Sequence, residues 1–261
     1  MIATASSTTE PTTVENLTPE QIESYRRDGF VRVSGILSPE EIARFRAAAT
    51  EYSQGGNTLS DRPVFQQMVN VWAQDETLRA LTMHPHVAQI AEKLAGVPLR
   101  LWHDQILIKK PHNAAATEFH QDQPYWPHAN SQHPITCWIA LVDVPVERGC
   151  MTFIPGSQER TDLRAQNLQD ANSFFSICPE MAWEERVTVP LKAGDCTFHH
   201  GRCAHMAMPN STDEARLAHA IIFIDAETTF TGEPHVVTQK LGLVEGEMME
   251  HEMFPRAADF R

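Results

Sequence analysis

The sequence sets a histidine and an aspartate one residue apart at His120-Gln121-Asp122, inside the run from Thr117 to Trp126. On a strand, residues two apart share a face, so this spacing lets an imidazole and a carboxylate reach one point. Pro124 limits how far such a strand continues. The chain holds 13 histidines, and about one His-x-Asp pair is expected by chance. The pair therefore gains meaning only from a partner elsewhere.

Residues 194–210 supply three partners, His199, His200 and His205. His199 and His200 are adjacent, so on a strand at most one of them faces the site. Two imidazoles and one carboxylate with open coordination positions are the ligand set of non-haem Fe(II) oxygenases. Three ligands on one face leave three positions for a co-substrate and O₂. Arg216 stands eleven residues beyond His205, at the head of the apolar run 217–224. A guanidinium there would pair bidentately with a carboxylate of the co-substrate.

These residues need elements to position them. Thr18 as N-cap, Pro19 at the first helical position and Gln21 closing a capping box predict a helix to about Asp28, stopped by Gly29. A short strand follows at 30–33. Ser38-Pro39-Glu40-Glu41 opens a second helix through Ala49, with Ile42, Phe45 and Ala49 at helical spacing. Further helices are expected at 76–81 and 85–94, so helices dominate the first hundred residues. Strands are expected at 99–108, 117–122, 135–144, 150–154, 186–189, 196–200 and 217–224. The loop 55–63 and the irregular insert 158–183 are expected at the mouth of a site. Short strands with turn signals between them suggest a sandwich or barrel with the early helices packed outside. Residues 1–16, rich in Thr and Ser, read as a flexible tail, and 17–261 as one domain.

Composition narrows the function classes. The formal charge is −13 with no basic run, so nucleic acid is a poor partner, and no basic patch suits the phosphates of a CoA handle. No apolar run approaches a membrane span, and no secretory signal opens the chain. The five cysteines have no Cys-x-x-Cys pair, which points to neither a disulfide framework nor a zinc site. A reducing cytoplasm is the expected compartment, with a small molecule as substrate.

From about Leu17 to Phe254 the sequence resembles the phytanoyl-CoA dioxygenase family of Fe(II)- and 2-oxoglutarate-dependent oxygenases. The resemblance rests on Tyr25 with Asp28-Gly29-Phe30-Val31, on His120-Gln121-Asp122, and on Trp138-Ile139-Ala140-Leu141. It continues through Gly149-Cys150 to Pro155-Gly156-Ser157, then Gly194-Asp195, His205, Asn210 and Arg216. It implies a mainly β fold with flanking helices, a double-stranded β-helix (jelly-roll, cupin-like) barrel. It implies Fe(II) on His120, Asp122 and His205, and the far carboxylate of 2-oxoglutarate on Arg216. Trp138, eighteen residues after His120, matches a Trp lining the co-substrate pocket, with Gln105 and Lys109 as further contacts. Gln121, Tyr125, Trp126 and His128 follow the ligand strand and are expected to form the substrate wall. His103, His112, His133 and His219 are expected to be structural or exposed.

Two positions depart from the family pattern. Ala207 stands where a hydroxyl residue often holds the co-substrate, and Gln158 replaces the His of Pro-Gly-Ser-His, a change expected to be structural. The implied reaction is hydroxylation of an unactivated C–H bond, with O₂ consumed and succinate and CO₂ released. Related halogenases carry a small residue in place of Asp122, so its carboxylate favours hydroxylation over halogenation. Desaturation, epimerisation and cyclisation differ from hydroxylation in substrate placement rather than in ligands. A non-oxygenase cupin-like metal barrel is the other reading, and it would not require Arg216 at its distance.

Overall fold

The computed structural model describes residues 11–55, 60–61 and 64–260. Helix α1 (Pro19–Asp28) starts at a reciprocal cap, with the Thr18 hydroxyl accepting from the Gln21 amide at 3.2 Å and Gln21 Oε1 from the Thr18 amide at 3.0 Å. It stops at Gly29, whose φ of 80° is left-handed. A second constraint also demands glycine there. Gln158 donates from Nε2 to the Arg27 carbonyl at 3.0 Å, satisfying a helix-end acceptor, and a Cβ on Gly29 would collide with the same side-chain amide. Gln158 thus caps α1.

The remaining elements are β1 (Phe30–Val33), α2 (Pro39–Gly55), β2 (Ser60–Asp61), β3 (Gln66–Val69), α3 (Glu76–Thr82), α4 (Pro85–Ala95), β4 (Leu99–Lys109) and β5 (Thr117–His120). After them come β6 (Ile135–Ala140), β7 (Met151–Phe153), α5 (Ser173–Ile177), β8 (Val187–Val189), β9 (Cys196–His200), β10 (His205–Ala207) and β11 (Arg216–Asp225). All strand pairs are antiparallel. They form a large sheet in the order β1-β9-β6-β11-β4-β3-β2 and a small one in the order β5-β10-β7-β8. The fold is the double-stranded β-helix, mainly β with flanking helices.

Period-two alternation on β11 sorts the core into layers. Leu217, Ile221 and Phe223 pack outward against Phe45, Leu78, Leu81, Ile90 and Leu94 of the helices. Ala218, Ala220, Ile222 and Ile224 face the space between the sheets with Trp138 and Phe153. Each large side chain so buried contributes about 1.5–3 kcal/mol. The two inward alanines leave that space unfilled. A third cluster, with Phe119, Leu163, Phe174 and Met181, fixes the insert to the small sheet. The insert is therefore less irregular than expected, since it carries α5 and a 3₁₀ turn at Pro179–Trp183.

Several boundaries differ from the sequence expectation. Thr12 donates its amide to the Gly35 carbonyl and its hydroxyl to the Ser34 carbonyl, each at 2.7 Å, and Val14–Asn16 form a 3₁₀ turn whose Val14 packs on the helical core. These residues were expected in the tail, but backbone docking requires no apolar run; residues 1–10 lie outside the described residues. Strands β2, β3 and β10 were not foreseen, β2 falling within the expected 55–63 loop, most of which lies outside the described residues. β5 ends at His120 rather than Asp122, and β6 at Ala140 rather than Val144. Among the described residues, no helix is long and apolar enough to cross a membrane.

One buried polar network lies between the large sheet and the helices. Asp104 Oδ2 accepts from the Trp72 amide at 3.0 Å and the Thr82 hydroxyl at 2.7 Å, and Thr82 Oγ1 lies 2.9 Å from His219 Nε2. Burial pushes the Asp104 carboxyl up to about 7 despite these hydrogen bonds, and pushes His219 down to about 3. A carboxyl with a raised folded pKa binds a proton on folding, so its contribution is lost as pH rises from about 4 through about 7. Asp104→Asn cannot ionise. Against this variant, wild type should lose on the order of a few kcal/mol across that window, read from urea unfolding at each pH. Parallel pH profiles for the two proteins would show that Asp104 does not titrate there.

Candidate active site

The His-x-Asp pair converges through a turn rather than through strand alternation. His120 is the last residue of β5, and Asp122 already has right-handed helical angles, φ −76° and ψ −44°, before the 3₁₀ turn Gln123–Tyr125. Gln121, between them, anchors this turn. Its Nε2 donates to the carbonyls of Ser157 at 3.2 Å, Arg160 at 3.1 Å and Arg202 at 2.6 Å, and its amide donates to Gln166 Oε1 at 2.9 Å. The Gln123 amide adds a bond to the Gly201 carbonyl at 2.8 Å. Gln121 was expected in the substrate wall; instead its amide is used up inside the protein, because the tight turn points it away from the cavity.

His205 opens β10 directly opposite His120 on β5, with ring centroids 4.3 Å apart. His120 Nδ1 lies 2.7 Å from the Glu118 carbonyl, and His205 Nδ1 lies 3.0 Å from the Cys203 carbonyl. A carbonyl only accepts, so in each ring Nδ1 carries a proton and Nε2 is the atom left to face the site. Both Nε2 atoms face Asp122 Oδ1, at 3.4 and 3.9 Å. The three ligand atoms lie within 4.8 Å of one another. Burial pushes His205 down to about 3, and the neighbouring His120 adds to the shift, so the ring is neutral and able to ligate. Burial also acts to raise Asp122, but His205, His120 and His199 around it prevail and hold it well below the ordinary carboxylate range. Two imidazoles whose Nδ1 atoms face carbonyls, together with a carboxylate, fit a divalent iron.

These side chains stand in the wall of a cavity of about 310 Å³ between the sheets. Arg216, the first residue of β11, closes one end. It is fully buried, its Nε has no hydrogen-bond partner, and among the described residues no carboxylate pairs with it. Its guanidinium lies 5.2 Å from the Trp138 ring centroid. Burial lowers it only to about 10, so it stays cationic at neutral pH. A buried cation with an unused donor fits a carboxylate supplied by a ligand. Ala207 lines the cavity with Thr117, its cross-strand partner, so a hydroxyl stands across the ladder from the position where the family often has one.

Of the other expected contacts, Trp138, Gln105, Tyr125 and Trp126 line the cavity. Gln105 Oε1 accepts from Gln67 Nε2, and the Tyr125 hydroxyl donates to the Gln166 carbonyl. Lys109 does not line it. This lysine is buried past the cavity's end, opposite Arg216, and donates to the Ala115 carbonyl at 2.8 Å. Burial and then Arg216 push it down to about 7. His128 stands one layer back, its ring 4.6 Å from Trp102 and 5.5 Å from Trp126.

Three of the histidines that line the cavity were not assigned to it. His103 faces inward, and the signal was available: it lies two residues before Gln105 on β4, and period two puts them on one face. His199 faces inward while His200 points to the other side, where its Nε2 meets the Gln132 carbonyl at 3.0 Å. His235 comes from the C-terminal segment, and no local pattern marks it.

The model of the phytanoyl-CoA dioxygenase family, PhyH, matches residues 25–218. The chain belongs to this family. It is similar to the Mus musculus phytanoyl-CoA dioxygenase domain-containing protein 1, 26% identical over 201 residues that cover 74% of this chain and 69% of the mouse protein. Its fold is similar to that of the non-haem α-ketoglutarate-dependent carbocyclase SnoK from nogalamycin biosynthesis, with a TM-score of 0.85 at 37% identity, covering 95% of this chain and 99% of SnoK. It is also similar to the epimerase SnoN, solved with Fe³⁺, α-ketoglutarate and nogalamycin RO, with a TM-score of 0.82 at 36% identity, covering 91% and 97% of the two chains. This member of the family is therefore an Fe(II)- and 2-oxoglutarate-dependent dioxygenase that uses O₂.

The role of Gln121 is testable. Gln121→Ala removes donors from three carbonyls and should cost about 1–3 kcal/mol in urea unfolding. It should also weaken Co(II) binding at the site, measured by calorimetry on metal-free protein. No change in either quantity would show that the turn is held without it.

Proposed function

We propose that the enzyme oxidises an unactivated C–H bond of a small, uncharged, ring-bearing organic molecule, with hydroxylation as the outcome. One observation carries the reading. Three metal-ligand atoms within 4.8 Å share a cavity with Arg216, a buried cation that no carboxylate pairs among the described residues. His120, Asp122 and His205 would hold Fe(II). Arg216, on the Trp138 face, would take the far carboxylate of 2-oxoglutarate, with Thr117 and Gln105 as neutral contacts. Bound Fe(II), 2-oxoglutarate and O₂ supply the oxidant for the C–H bond, with release of succinate and CO₂. The protein orients the co-substrate, aims the substrate and excludes water.

The aromatic part of the cavity lining supports the uncharged substrate. Phe65, Tyr125, Trp126, Leu168, His103 and His235 line it. Burial pushes His235 down to about 4 and His103 well below its ordinary value, so neither is charged at neutral pH. An ionised group brought there would lose its hydration without gaining a partner. The aromatic surfaces instead suit rings. The solved complex of SnoN with nogalamycin RO supports a small organic molecule as substrate. Asp122 supports oxygen transfer rather than halide transfer, because its carboxylate takes the position a halide would need.

Cyclisation or epimerisation is the second reading. It is favoured by SnoK and SnoN, a carbocyclase and an epimerase at 37% and 36% identity.

The test has two stages. Without air, protein with Fe(II) and 2-oxoglutarate should show a metal-to-ligand charge-transfer band, and Arg216→Ala should weaken 2-oxoglutarate binding about 10- to 100-fold, as loss of a charge-assisted pair implies. With air, 2-oxoglutarate-dependent succinate release is screened across neutral aromatic polyols, amino acids and acyl-CoA esters. Product masses then separate gain of one oxygen from loss of two hydrogens or no change. An unchanged 2-oxoglutarate affinity in Arg216→Ala would refute the assigned pocket, and turnover of acyl-CoA alone would refute the substrate reading.

A further inference from the structure

We infer that His199 is a positioning residue: it holds the second carboxylate oxygen of Asp122 and so keeps that aspartate a one-oxygen ligand. The inference rests on the iron-site reading above and concerns a side chain outside the ligand set. The two oxygens of Asp122 face different partners. Oδ1 is turned to the Nε2 atoms of His120 and His205, at 3.4 and 3.9 Å, whereas Oδ2 faces Nε2 of His199 at 3.6 Å. That distance is just outside a direct hydrogen bond, and a small swing of the carboxylate closes it. Among the described residues the mutually close ligand atoms belong to His120, Asp122 and His205, and His199 stands outside that group.

The surroundings of His199 point the same way. Its ring is 1% exposed and lies between aromatic faces, 4.6 Å from His205 and 5.5 Å from Phe153. A phenyl ring would suit this slot without any polar atom. The imidazole leaves Nδ1 buried with no hydrogen-bond partner among the described residues, which is unfavourable in itself. No carbonyl fixes its tautomer, in contrast to His120 and His205, so its proton is free to sit on Nε2 and donate to Oδ2. What the imidazole adds over a phenyl is this donor.

The consequence concerns open positions. Three protein donors on one face leave three for ligands, enough for a bidentate keto acid and O₂. An aspartate that gave both oxygens would take one of them. A donor on Oδ2 opposes that slide, in the way outer hydrogen bonds commonly orient metal ligands.

Two variants test this on metal-free protein. Phe fills the slot without a donor, and Gln returns an N–H at similar reach. Co(II) affinity by calorimetry should fall about 10- to 100-fold in His199→Phe, with the anaerobic Fe(II)–2-oxoglutarate band weakened or shifted. His199→Gln should restore most of both. The melting temperature of metal-free His199→Phe should equal or exceed that of wild type, which separates a site effect from a folding defect. Wild-type Co(II) affinity in His199→Phe, or equal losses in the Phe and Gln variants, would overturn the inference; equal losses would instead make His199 a ligand. If wild type itself binds no Co(II), the iron-site reading fails, whereas a normal wild type with a normal His199→Phe removes only the role of His199.

Discussion

The side-chain amide of Gln121 donates to three carbonyls from two stretches of chain, Ser157 and Arg160 in one and Arg202 in the other, while its own backbone amide donates to Gln166. The metal site hangs on that set. Ser157 and Arg160 follow β7, Gln166 lies in the insert, and Arg202 lies in the β9–β10 connection that leads to His205. One buried amide therefore ties the His120–Asp122 turn to the segment carrying the third ligand. Two ligands from neighbouring strands and one from a turn need such a tie, because sheet pairing alone fixes His120 against His205 and leaves Asp122 free to rotate.

Two opposite charges stand in the cavity wall. Asp122 is ionised among imidazoles, and Arg216 is cationic over Trp138. His103, His205 and His235, which also line the space, are uncharged because burial removes their charge. In a medium of low polarity the two fixed charges then dominate the field. Cations gather at one and carboxylates at the other, and the intervening neutral surface discriminates by shape and stacking.

Much of this was legible in the sequence, and the gaps have physical causes. The boundaries of α1, β1 and β9 follow from side chains that act on their own backbone, such as Thr18, Gln21 and Gly29. β3 and β10 carry four and three residues, too few to show a period, and exist because neighbouring strands pair with them. The three ligands and Arg216 were readable from type and spacing, but the path to convergence was not. Strand alternation was the wrong reason for His120 and Asp122 to meet, since β5 ends between them. Lys109 follows the same alternation as Gln105 yet misses the cavity, because the strand outruns it. For His199 and His200 the sequence says that only one looks inward; the pairing of His199 with Phe30 and Thr136 decides which.

The pair formed by Thr117 and Ala207 shows how a motif and a surface can part company. Read along β10, the chain lacks a hydroxyl; read across the β5–β10 ladder, it has one on the facing residue. Neighbouring strands sit only about 5 Å apart, so a functional group can change its address in the sequence by ninety positions while barely moving in space. Alignments score such an exchange as one loss and one unrelated gain. A ligand in the cavity would register neither.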